Sequence, residues 1–164
     1  MLLVACGNKG NKGENITLSE AKNRLQNVNK ALVDKDKELI DAYIERHKLQ
    51  NVQNNGAGLF YLIWGETADS LIKNGDFVSL DYKITLLDGT LCYSSENSKP
   101  KEFVVGYGGV EAGLEMAMLL MRKGQRGKLI LPPHLAHGLL GDNGKIPPRS
   151  IIVYDVRVKN VIAK

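Results

Sequence analysis

Two hydrophobic periods divide the chain. From Thr17 to about residue 50, Ala21, Leu25, Val28 and Leu32 recur at helical spacing, and Leu39 or Ile40, Tyr43, Ile44 and Leu49 carry the stripe onward among polar and charged residues. That pattern predicts an amphipathic helical arm over residues 16–55. Thr17-Leu18-Ser19-Glu20 has the form of a capping box, in which the Thr and Glu side chains satisfy the first orphan amides of a helix. Asp34-Lys35-Asp36-Lys37 is where the arm would divide into two helices, because short acidic side chains favour caps over helix interiors. Beyond Asn54-Asn55-Gly56 the period becomes alternating, which places a boundary near residues 50–57 and a domain over residues 56–164.

Within that domain, residues 58–64 read as a first strand. Val78, Leu80, Tyr82, Ile84 and Leu86 alternate with Ser79, Asp81, Lys83 and Thr85, so one face of this strand enters a core. Asp88-Gly89 supplies a hairpin turn, and Leu91-Cys92-Tyr93 and Phe103-Val104-Val105 are short strands. A helix over residues 111–121 presents Val110, Leu114, Ala117, Met118 and Met121 on one face and ends before Gly124. Leu129 and Leu131, then Ile152, Tyr154, Val156 and Val158, mark the last strands. The expected class is α+β: five or six mostly antiparallel strands wrapped around one helix, preceded by the helical arm.

Length allows one ordinary domain with an appendage: 164 residues, 43% hydrophobic and 24% charged, a composition able to bury a core. The net charge of +4 is divided evenly between residues 1–50 and 51–164, so no part is built for nucleic acid. Two cysteines, Cys6 and Cys92, are too few for a disulfide scaffold or a structural zinc site. Leu3-Val4-Ala5-Cys6 resembles the cleavage box of bacterial lipoproteins, which would make Cys6 a lipid anchor, and the polar, Gly-rich residues 7–15 read as a flexible tether. The location this implies is the cell envelope of a bacterium, lipid-anchored, facing the periplasm or in the outer membrane. Two coverings stay open for the arm's stripe: its own domain, or a second copy in a homodimer.

Tyr82, Asp88-Gly89-Thr90, Ser94-Ser95, Gly106, Val110, Gly113-Leu114-Glu115, Gly124-Gln125-Arg126, Pro132-Pro133, Leu135-Ala136, Gly138, Ile146-Pro147-Pro148 and Val153-Tyr154-Asp155-Val156 together resemble, in order and with few gaps over residues 58–160, the FKBP family of peptidyl-prolyl cis/trans isomerases. With the arm and the lipoprotein-like start, the chain is similar to membrane-tethered members, including those associated with gliding motility. The resemblance implies an FKBP-like sheet around one helix and an isomerase that assists the folding of exported, proline-containing polypeptides. The other reading is a catalytically weak binding module or chaperone in an envelope assembly.

It also implies a site. Tyr82, Leu114, His137, Ile146 and Tyr154 fall on the family's catalytic positions, and Cys92, Tyr93, Val110 and Glu111 on substrate-binding ones. The family's pocket is apolar and needs no cofactor, metal or proton transfer. Several residues depart from it: Leu114 stands where the most active members have a tryptophan floor, Cys92 and Lys101 replace aromatic walls, Tyr93 an aspartate, and Glu111 an isoleucine whose backbone amide binds ligand. His137 replaces a tyrosine donor. Three other signals stay ordinary. His134 and His137 lack a third metal ligand, Arg122, Lys123, Arg126 and Lys128 make a solvated basic corner, and Gly106-Tyr107-Gly108-Gly109 lacks the lysine of a phosphate loop.

Overall fold

A computed structural model describes residues 17–164. Cys6 and the tether lie outside the described residues. The chain divides into two units, one ending at Asp34 and the other running from Lys35 to Lys164.

Helix α1 (Leu18–Arg46) starts at the expected capping box: the Thr17 amide donates to Glu20 Oε2 at 2.9 Å, and the Glu20 amide to Thr17 Oγ1 at 3.3 Å. Its first half leaves Leu18, Leu25, Val28 and Val33 exposed. No break occurs at residues 34–37. The side chains that would compete with the backbone there have other partners: Asp36 Oδ1 accepts from Arg149 Nη2 at 2.6 Å, and Lys37 pairs with Asp41 one turn on.

Besides the part of α1 from Lys35 onward, the larger unit holds seven antiparallel strands, β1 (Gln53–Asn54), β2 (Phe60–Trp64), β3 (Phe77–Leu86), β4 (Leu91–Ser94), β5 (Lys101–Val104), β6 (Arg126–Leu131) and β7 (Ile152–Ile162), and a second α-helix, α2 (Ala112–Met118). The sheet order is β1-β2-β6-β7-β3-β4, with β5 on the opposite half of β3 from β4. The strand beyond the expected five or six is β1, whose two polar, exposed residues carry no alternation to read. β2 begins two residues later than the pattern suggests, because Asn55 Oδ1 accepts from the amides of Ala57 and Leu59 and makes a turn of that stretch. α2 is shorter than residues 111–121. Leu120 and Met121 donate to carbonyls three residues back, and the Met121 carbonyl accepts from Ile72, which draws the last turn off the helix axis.

Both sheet faces are covered. Leu80, Ile84, Leu129, Leu131, Tyr154, Val156 and Val158 bury one face with α2's Leu114, Ala117 and Met118. α2 approaches β6 so closely that a Cβ on Gly113 would lie 2.6 Å from Leu131 Cγ. On the other face Ile40 and Tyr43 of α1 pack on Phe60, Ile130, Ile151 and Val153. This part of the stripe is therefore covered by its own domain. Ile40 is 1% exposed, and Ile40→Ala should destabilise the fold by about 2–4 kcal/mol, read as a lower urea midpoint with an unchanged slope.

Candidate functional site

β3 and β7 are neighbours, and their alternation aims Tyr82 and Tyr154 to the same side of the sheet as α2. Their rings lie 6.3 Å apart between centroids, tilted by 49°. β5 delivers Lys101 to this pair, with its ammonium 5.4 Å from each ring centroid. The residue before α2 is Glu111, whose side chain makes no capping bond and turns instead into the space beneath Lys101.

Four side chains close a polar network there. Tyr154 Oη donates to Glu111 Oε1 at 2.9 Å and accepts from Lys101 Nζ at 2.7 Å. Lys101 Nζ lies 3.1 Å from Glu111 Oε2, and His137 Nε2 lies 3.1 Å from Glu111 Oε1. Burial pushes the Glu111 carboxyl up, but the Lys101 ammonium, its own backbone amide and the Tyr154 hydroxyl outweigh it, and the group titrates below its ordinary value. Burial and the adjacent Glu111 carboxylate push the Tyr154 phenol far above its ordinary range, so it stays a donor. Above the network opens a cleft of about 390 Å³ lined by Lys101, Gly109, Val110, Glu111, Ala136 and His137. The sequence led to a dry apolar seat. Val110 lines the cleft as expected, but Tyr154 is fully buried and backs it with Tyr82, and the Lys101–Glu111 ion pair lies between those rings and the opening.

The remaining expected residues are distributed differently. Leu114, Ile146 and Cys92 are almost fully buried members of the main core and back the site without opening onto the cleft. The Cys92 sulfur lies 3.6 Å from the Lys145 carbonyl, and burial raises its thiol pKa above the ordinary value. Tyr93 clamps the loop over residues 138–150: its hydroxyl donates to Asp142 Oδ2 and accepts from the Lys145 amide at 3.2 Å. Asp142 Oδ1 in turn accepts from the amides of Gly144 and Ile146 at 2.8 and 2.9 Å. Sequence reasoning passed over Asp142. Its signal was the Gly141-Asp142-Asn143-Gly144 run, in which Gly141 and Asn143 take φ of 73° and 56° and the Asp folds back on amides ahead of it. His134 meets the Ala57 carbonyl at 3.1 Å, apart from His137's role, and the described residues hold no group of three metal-ligating side chains.

The network ties stability to acid. With Glu111 titrating below its ordinary value of 4.5, its contribution is complete above that pH and is lost as pH falls through the lowered value. The urea midpoint should fall between about pH 5 and pH 3, and Glu111→Gln should make that fall shallower. An equally steep fall in the variant would mean that the carboxylate is not held by these partners.

A family model described as FKBP-type peptidyl-prolyl cis-trans isomerase matches residues 68–159. The peptidyl-prolyl cis-trans isomerase FKBP9 of Bos taurus is 36% identical over 94 residues, 57% of this chain and 16% of that protein. The chain thus spans about a sixth of that relative's length. Fkbp12 of Drosophila melanogaster is 41% identical over 90 residues, 54% of this chain and 83% of that protein. Among solved structures, FkpA from Escherichia coli matches with a TM-score of 0.68 at 27% identity, over 91% of this chain and 75% of that one. AtFKBP13 matches with a TM-score of 0.64 at 25% identity, over 68% of this chain and 99% of that one. The model match covers more than half of the chain and includes both tyrosines, Lys101, Glu111 and His137, and on that ground the chain belongs to the FKBP-type peptidyl-prolyl cis-trans isomerase family.

Proposed function

We propose that this protein catalyses cis/trans isomerisation of X-Pro bonds and does so at a bacterial cell envelope, in the periplasm or at the outer membrane, tethered by lipid on Cys6 and helping exported polypeptides to fold. The observation that carries the catalytic part is the tilted Tyr82–Tyr154 pair with Val110 and the N–H donors of Lys101 and His137 beside it. The similarity of the start and arm to tethered members, including those of gliding motility, supports the envelope part.

Rotation about a prolyl amide is opposed by about 18–20 kcal/mol, mostly lost resonance. The twisted amide is less dipolar than the planar one, so aromatic and branched walls around the proline disfavour the planar state relative to the transition state. Donors at the cleft edge hold the neighbouring carbonyls while the bond turns. Glu111 stays a carboxylate and Tyr154 a phenol near neutral pH, which leaves them binding and orienting groups in a reaction that transfers no proton. A proline entering the cleft must pack beside the Lys101–Glu111 ion pair where the family's pocket is apolar.

That last requirement favours a second reading, a binding module with slow turnover. The two separate on one assay: exchange of a short X-Pro peptide followed by NMR with the full chain. An isomerase should speed exchange at least about tenfold at micromolar protein. Binding without acceleration would leave the module reading.

The exposed Leu18, Leu25, Val28 and Val33 support pairing of the arm with a second copy. The chain should then sediment as a dimer, and Leu25→Glu with Val28→Glu should make it a monomer. In bacterial cells expressing the protein, Cys6→Ser should release it from membranes. Unchanged fractionation would remove the anchor.

A further inference from the structure

Resting on the isomerase reading, we infer that Lys101 and Glu111 set substrate preference, favouring prolines flanked by a carboxylate-bearing residue over prolines flanked by apolar ones. The ion pair is layered. The Glu111 side chain is 6% exposed, whereas Lys101 and His137 are 22% and 26% exposed, so the anion lies beneath and the donors face the cleft. Glu111 is also occupied, with Oε1 meeting Tyr154 and His137 and Oε2 meeting Lys101. A substrate cation would have to pass Lys101 and break one of these bonds to reach it.

A substrate carboxylate meets the opposite situation. The Lys101 ammonium donates to Tyr154 Oη at 2.7 Å and to Glu111 Oε2 and Oε1 at 3.1 and 3.4 Å, and the last of these is the long, weak bond that a substrate carboxylate would replace. A proline seated in the cleft against Val110 lies beside this ammonium and excludes water from it. A flanking carboxylate gives the desolvated charge a further partner, and a flanking leucine gives it none. Neighbouring carboxylates do not compete. Asp142 is taken up by Tyr93 and two loop amides, Glu115 by the Gly108 amide, and Glu102 by Ser79.

The test measures Kd by NMR shift perturbation and kcat/KM by NMR exchange, using the full chain and peptides that differ only beside the proline: Leu-Pro, Glu-Pro, Lys-Pro and Ala-Pro-Glu. The two glutamate peptides report which side of the proline the ammonium reaches. At low salt the better glutamate peptide should exceed Leu-Pro by about fivefold, the ratio that about 1 kcal/mol gives, with Lys-Pro weakest. The advantage should shrink toward unity in about 1 M salt, where charges are screened within about 3 Å. Lys101→Met/Glu111→Gln should prefer Leu-Pro. Should that variant unfold, Lys101→Arg keeps the charge and should keep the preference. Leu-Pro equal to or better than both glutamate peptides in the parent would overturn the proposal while leaving the isomerase reading intact. A glutamate preference in binding without turnover of any peptide would sink the isomerase reading and keep the charge preference. A preference unchanged by salt and by the double variant would show that other residues make it.

Discussion

A carboxylate taken out of water needs partners on every side, and Glu111 obtains them from three elements of the fold: Lys101 of β5, Tyr154 of β7 and His137 of the turn after β6. Leaving such a group unpaired in an interior would cost several kcal/mol. The three elements therefore have to meet at the N-terminal end of α2. They do so because β5 and β7 both pair with β3, and because Gly113 lets α2 settle against β6 beside Leu135. The same arrangement puts an ammonium over two aromatic faces, where the fold's aromatic walls alone would have made an apolar seat.

The surrounding structure holds this arrangement from two directions. Asp142 and Tyr93 fix the loop above it through side-chain bonds to backbone amides, a lattice that keeps Ile146 packed in the core. On the outer face of the sheet, Ile40 and Tyr43 cover Phe60, Ile130 and Val153, and the Arg149–Asp36 pair joins that end of the loop to the helix. α1 from Lys35 onward is thus part of the domain's core construction, and the site's geometry depends on a sheet whose two faces are both buried.

Much of the fold was legible in the alternation of β3 and β7 and the helical face of α2, since burial on one side leaves a direct trace in hydrophobic period. β1 left none, because its pairing uses backbone groups of two exposed polar residues. The continuity of α1 was hidden for a different reason: Asp36 finds its partner 113 residues away, at Arg149. In the site, Tyr82, Tyr154 and Val110 were readable from family pattern, and Lys101, Glu111 and His137 stood out as departures from it. That Lys101, Glu111 and Tyr154 compensate one another was not readable, because the contacts cross 10 and 43 to 53 residues and exist only once the strands pair.

On the proposed function, proline binds against the Lys101–Glu111 bridge. NMR of the Lys101 ammonium nitrogen and the Glu111 carboxyl carbon during titration with an X-Pro peptide tests it most directly. Both resonances should move together and saturate with the peptide's own binding curve, as the peptide covers the pair. A peptide that binds and turns over while both signals stay fixed would place the proline elsewhere and contradict the account.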